Sequence, residues 1–258
     1  MEFTVEEVLL RPALGYKTSI LLDDWSLIPK GQALLHSEQA IIDERLNYCF
    51  GQYLLKIGPL SSAIKTKSCA INTQINMSSK LSTNHNTGII GELEELPFLE
   101  SSIDAVVMNH VLEFTSDPHQ ILREIHRVLL PNGNLIISAF NPISFLSAHK
   151  LNPNKRFLEF KRGRFFTIGR IIDWLQLLGF EITFEKRTYF PFEFASNDQY
   201  DQSYLADWAQ RLFPWSGGSC VLVAKKREWP LTPIRPRVKY KTVFNPAIRT
   251  GSFNNRNS

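Results

Sequence analysis

The sequence predicts an α/β fold, a doubly wound and mostly parallel sheet. Two stretches carry that expectation. From Asp104 to Phe140 a compact apolar run of strand length, an amphipathic helix, a Pro-Asn-Gly turn and a second apolar run follow one another, which is the pattern of a βαβ unit. From Thr167 onward a second amphipathic helix is followed by further strand-like runs. With 258 residues, 43% of them hydrophobic and 21% charged, the chain has the length and composition of one large globular domain with appendages.

In chain order, Leu34 to Tyr48 places Leu34, Leu35, Ile41, Ile42 and Leu46 at helical spacing. Gln52 to Gly58 reads as a short buried strand stopped by Gly58-Pro59. The Ser-, Thr-, Asn- and Lys-rich stretch from Ser61 to Gly88 has room for one strand, around Ser68 to Ile75, and for little helix. Asp104 to Asn109 is the next strand. Asp117 and Pro118 then open a helix whose inner face is Ile121, Leu122, Ile125, Val128 and Leu129. Pro131-Asn132-Gly133 stops that helix, and Asn134 to Phe140 is a strand. Thr167 caps a helix with Ile171, Ile172, Leu175 and Leu178 inward, closed by Gly179. Phe180 to Tyr189 and Ser219 to Ala224 are strands, and Tyr204 to Phe213 is a short helix.

The formal net charge of +4 is unevenly placed. Lys225 to Ser258 holds Lys225, Lys226, Arg227, Arg235, Arg237, Lys239, Lys241, Arg249 and Arg256 against the single acid Glu228. The insert from Asn141 to Phe166 holds Lys150, Lys155, Arg156, Lys161, Arg162 and Arg164 against Glu159, interleaved with Phe145, Phe157, Phe160, Phe165 and Phe166. The remainder is acidic, so the basicity is local. The expected organisation is an N-terminal extension and helix over 1–50, a main domain over 51–226 with a basic lid over 141–166, and a basic, flexible tail over 227–258.

No run approaches the roughly 18 to 20 apolar residues of a membrane span, and Met1 to Leu10 carries three glutamates instead of a basic leader. The expectation is a soluble, cytoplasmic protein without a membrane partner. Cys49, Cys69 and Cys220 are widely spaced, which fits buried free thiols rather than a disulfide framework or a thiolate zinc site. No grouping of His, Cys and carboxylates has metal-ligand spacing, so no metal is expected.

Gly91 to Val107 reads GELEELPFLESSIDAVV, followed by HVLEF at His110 to Phe114 and ILREIHRVLLPNGNLIIS at Ile121 to Ser138. In that order these segments resemble the class I S-adenosylmethionine-dependent methyltransferases of the type 11 group. Phe140-Asn141-Pro142 and the DWLQLLGFEI run from Asp173 to Ile182 extend the likeness, which covers roughly Tyr53 to Ala224. It implies a seven-stranded sheet with S-adenosyl-L-methionine at the carboxyl ends of its strands. The resemblance also implies which residues meet the cofactor. Ile57 and Gly58 match the end of the family's first strand, and Glu92 the residue near the adenine, with the Leu93 backbone beside it. Asn109 and His110 end the fourth strand toward the cofactor and the transferred methyl.

The first half departs from that family. Its glycine-rich loop is represented by Lys56-Ile57-Gly58-Pro59-Leu60-Ser61-Ser62, where only Gly58 matches. The acid expected to end the second strand has no counterpart near Asn72 to Asn76. The short interval between Gly58 and Glu92 leaves the first helix a single turn or absent. A bacterial subgroup of type 11 methyltransferase-like proteins resembles the chain in this abridged motif, in the DPH-x-x-LRE helix, in Phe-Asn-Pro and in the closing Thr232 to Pro236.

The expected function is methyl transfer from S-adenosylmethionine to an unidentified acceptor. The basic lid over 141–166 selects an anionic one, or else is a solvated loop whose phenylalanines enter the core. Because methyl transfer needs chiefly two reactants held in line, no dedicated base is required and no catalytic residue is assigned. Glu113 either orients a substrate group or caps the segment after it. His119 and His126 are surface or capping residues, and Trp174 and Trp208 belong to helix packing faces. Two alternatives stand beside this reading. One is a catalytically inactive methyltransferase-like binding or regulatory protein; the other, less favoured, is an RNA-binding protein using lid and tail.

Overall fold

A computed structural model describes residues 21–80, 88–148, 157–188 and 216–228 of the chain. Its seven strands are β1 (Tyr53–Ile57), β2 (Thr73–Ser78), β3 (Ile89–Ile90), β4 (Ile103–Asn109), β5 (Leu129–Phe140), β6 (Phe180–Thr188) and β7 (Ser219–Lys226). They form one sheet in the order β3-β2-β1-β4-β5-β7-β6. All neighbours pair in parallel except β7, which runs antiparallel to both β5 and β6. The order reverses direction between β1 and β4, which makes their carboxyl ends the switch point of the sheet.

The helices are α1 (Gly31–Leu46), α2 (Pro59–Ser62), α3 (Pro118–Val128), α4 (Phe145–Ala148), α5 (Leu158–Arg162) and α6 (Ile168–Leu177). Both faces of the sheet are covered, which is why β1 and β4 are nearly continuous apolar runs. Ile121, Leu122, Ile125 and Val128 of α3, with Ile171, Trp174 and Leu175 of α6, pack on Leu55, Ile57, Val106 and Met108. On the opposite face Leu34, Ile41, Ile42 and Leu46 of α1, with Trp25, pack on Leu54, Ala105, Val107 and Ile136. The N-terminal helix is thus one of the layers of the fold.

Local chemistry sets the element ends. The Asp117 carboxylate accepts hydrogen bonds from the His119 and Gln120 amides at 3.0 Å each, and Pro118 occupies the first turn, so α3 starts where its sequence anticipates. Asp117→Ala should lower the free energy of unfolding by about 1 kcal/mol in urea denaturation, the usual effect of losing such a cap. Gly179, at φ 90°, closes α6 in a conformation that side chains resist.

Several boundaries differ from expectation. Helix α1 begins at Gly31 and ends at Leu46, because Lys30 takes a left-handed conformation ahead of it. Strand β2 is Thr73–Ser78 instead of lying around Ser68 to Ile75; pairing with β1 and β3, which the polar sequence does not advertise, sets its register. Two-residue β3 is too short for a period to show. Strand β5 starts at Leu129, directly after α3, and absorbs Pro131-Asn132-Gly133 as an irregularity: pairing with β4 jumps from Ile103↔Leu129 to Ala105↔Asn134. The first crossover helix, α2, is the single turn that the short interval allows. The expected helix from Tyr204 to Phe213, Trp208, the middle of the lid and the tail beyond Glu228 lie outside the described residues. Among the described residues no helix is long and apolar enough to cross a membrane.

Candidate functional site

Strand β1 delivers Ile57, fully buried, and then Gly58 to the switch point. Gly58 has φ 88°, and a Cβ there would come within 2.9 Å of Val111 Cγ2. Its amide donates to the Met77 carbonyl at 2.8 Å, fastening the turn to β2. The family's acidic residue before the first glycine is here Lys56. Its Nζ is buried and donates to the Ile64 carbonyl at 2.9 Å, closing the α2 turn from below. Burial holds the Lys56 ammonium below the usual lysine range, with Cys69 partly offsetting this.

The second strand ends two residues beyond the expected window, so the position beside Gly58 belongs to Ser78. The Ser78 hydroxyl is buried and has no hydrogen-bond partner among the described residues. Sequence reasoning missed it because the register of β2 was misplaced. Past β3, Glu92 is exposed and Leu93 is fully buried in the core.

Asn109 and His110 lie at the end of β4 and are each 1% exposed. Their side chains engage the N-terminal helix. His110 Nε2 lies 2.9 Å from Glu38 Oε1, and Asn109 Nδ2 donates to Glu38 Oε2 at 3.1 Å and to Ser138 Oγ at 2.9 Å. On the other side of the imidazole, Nδ1 lies 3.5 Å from Glu113 Oε1, which also accepts the Phe140 amide at 2.6 Å. The ring is stacked on Phe140 at 3.7 Å and meets the edge of Trp25 at 5.6 Å.

Burial by itself disfavours the charged imidazole, but attraction to Glu38, its hydrogen bond to Glu38 and the nearby Glu113 carboxylate outweigh it and lift His110 to about 9. Burial likewise opposes ionisation of Glu38, and the His110 charge with hydrogen bonds from His110, Ser219 and Ser138 reverses that, leaving its carboxyl below the usual range. The cluster is a buried imidazolium between two glutamates. Glu38 went unnoticed in the sequence, although a signal was present: it stands midway between Leu34 and Ile42, one turn from each, on the apolar stripe of α1.

The described part of the lid resolves into two roles. Phe160 of α5 is fully buried and meets Phe140 and Phe165 edge-on at 5.2 Å each, while Phe157, Phe165 and Phe166 are half-buried against the core. Arg164 ties the segment to the loop after β4: its amide donates to the Glu113 carbonyl at 2.7 Å, and its guanidinium to the Thr115 and Ser116 carbonyls at 2.9 Å. His119 is exposed against Trp174, half-buried His126 lies edge-on to Phe180, and Trp174 belongs to the α6 packing face. Burial pushes the Cys49 and Cys220 thiols up to about 11 and about 12, which makes both unreactive. Among the described residues no cluster of His, Cys, Asp and Glu could hold a metal ion.

Residues 54–137 match the family described as "Methyltransferase domain". The chain belongs to the class I S-adenosylmethionine-dependent methyltransferases of the type 11 group, an enzyme family. Over most of its length it is similar to uncharacterized protein YafS of Escherichia coli (strain K12), 33% identical over 240 residues that span 93% of this chain and 94% of YafS. Two solved structures share the fold. A SAM-dependent methyltransferase from Thermotoga maritima superposes with a TM-score of 0.54 at 20% identity, over 75% of this chain and 89% of its own. Another from Archaeoglobus fulgidus superposes with a TM-score of 0.52 at 15% identity, over 76% of this chain and 97% of its own.

The residues at the switch point fit a nucleoside cofactor of that family. Gly58 lets the Val111 side chain of the loop after β4 close against the end of β1, and the Ser78 hydroxyl is a buried polar group without a partner among the described residues, able to take a ligand hydroxyl. Glu92, past β3, offers an exposed carboxylate.

Proposed function

We propose that this protein transfers a methyl group from S-adenosylmethionine to an anionic acceptor. The observation that carries the proposal is the switch point itself: a glycine at positive φ ending β1, with a buried hydroxyl at the end of β2 that has no partner among the described residues. In this reading Ile57 and Gly58 border the cofactor at the first strand. Ser78 meets the ribose, and Glu92 with the Leu93 backbone meets the adenine. Asn109 and His110 contribute main chain at the end of β4, since their side chains are committed to Glu38. When bound, the cofactor would supply an electrophilic methyl group for an acceptor lone pair. The protein's part is to hold the two reactants in line and keep water out. Lys161, Arg162 and Arg164 stand on the segment tied to the loop after β4, and their charge supports an anionic acceptor.

Calorimetry with S-adenosylmethionine and S-adenosylhomocysteine tests this. Saturable binding of both is expected, and no binding by folded protein at millimolar ligand would sink the proposal. Glu92→Ala should weaken affinity about tenfold, the effect of losing one hydrogen bond to a charged group. Unchanged affinity would remove Glu92 from the adenine side.

A further inference from the structure

Glu38 lies on α1, outside residues 54–137 that match the methyltransferase domain, and is 0% exposed. A carboxylate is retained at such a place only when paired and hydrogen-bonded. Its partners come from the carboxyl end of β4, from β5 and from the start of β7: Asn109 and His110, Ser138, and Ser219. Between β4 and the loop that follows, His110 adopts φ 53°, a left-handed conformation that a residue with a Cβ holds only when its surroundings impose it. Here they do. Its amide donates to the Ser138 carbonyl at 2.9 Å, its ring is clamped between Phe140 and Trp25, and its Nε2 is held by Glu38. The next residue, Val111, is the one against which Gly58 closes. From the same side of the sheet, Trp25 Nε1 donates to the Leu60 carbonyl at 3.1 Å, gripping the turn after β1.

We propose that Glu38 is a positioning residue of the cofactor crevice: it clamps the turn that ends β4 and so sets Val111 against Gly58. This rests on the reading of the crevice given above. It makes α1 a wall of the site that stands in for part of the missing glycine-rich loop. The charged groups facing His110 are Glu38 from α1 and Glu113 from its own loop; Trp25, Asn109, Ser138, Phe140 and Ser219 around the pair are neutral. The clamp is therefore tightest with His110 protonated and weakens as the pH rises through about 9.

The test compares the full chain with its Glu38→Gln variant by calorimetry with S-adenosylhomocysteine from pH 7.5 to 10, and by deuterium uptake of peptides covering 107–116 and 118–128. The variant should bind about tenfold more weakly at pH 7.5, the effect of one pKa unit of lost pairing. That ratio should shrink toward unity by pH 10 as His110 loses its charge, the ligand's own titration being common to both proteins and cancelling in the ratio. Uptake should rise over 107–116 and not over 118–128. Equal affinity at pH 7.5, or a ratio that does not change with pH, overturns the proposal. If the full chain binds no ligand, the functional reading fails, and uptake alone decides the clamp: a rise confined to 107–116 supports it and a uniform change overturns it. Should Glu38→Gln not fold, Glu38→Asp, which keeps the charge and shortens the reach, takes its place under the same criteria.

Discussion

Replacing His110 by alanine lowers the free energy of unfolding by about 3–5 kcal/mol, the scale on which removing one partner of a buried ion pair acts. Two losses combine in that figure. The ring stacked on Phe140 at 3.7 Å disappears, and the Glu38 and Glu113 carboxylates, at most 2% exposed, are left without the cation between them. Urea denaturation at pH 6 measures it, with the slope of the transition checked to show that the native state keeps its extent. A loss below about 1 kcal/mol would mean that the surroundings rearrange at little cost once the imidazole is gone, contrary to a charged cluster.

The second large effect is a dependence of stability on pH. His110 is raised in the folded protein from 6.5 to about 9, so its contribution is fully present below pH 6.5 and is lost as the pH rises through about 9. Integrated over that window, the loss is about 3 kcal/mol. Glu38 acts with the opposite sign. Its folded value lies below 4.5, so its contribution is present above pH 4.5 and lost as the pH falls through the lowered value. The cluster therefore supports the fold most strongly between about pH 4.5 and 6.5. Unfolding free energies of wild type and His110→Ala at pH 6, 8 and 10 check this, because other groups that titrate near pH 10 cancel in the difference. The gap between the two proteins should close toward pH 10. A constant gap would show that His110 is neutral in the folded state.

Much of this architecture is legible in the chain because it is local. The Asp117-Pro118 start, the face of Ile121, Leu122, Ile125 and Val128, and the Gly179 stop are each written within a few residues, and each appears in the structure. Strand β2 is not legible in this way. Its TQINMS sequence has no clear alternation, and its ends follow from hydrogen bonds to β1 and β3 that the segment itself does not encode. The resulting shift hid Ser78, which lies two residues past the Asn72 to Asn76 window where an acid was sought.

The site divides the same way. Gly58, Glu92, Leu93, Asn109 and His110 come from motifs read in order along the chain. The partner of His110 comes from a helix whose contact with it spans 72 positions. By itself the sequence carried the likeness to the family in its ordered motifs, and it determined the doubly wound sheet and the shortened first crossover, because spacing and apolar periodicity act over a few residues. Only the tertiary structure decided that Glu38 belongs beside His110 and that Ser78 belongs beside Gly58. Charge pairing and strand register are settled by what lies across the fold, since burying a carboxylate is tolerable only once its partner has arrived.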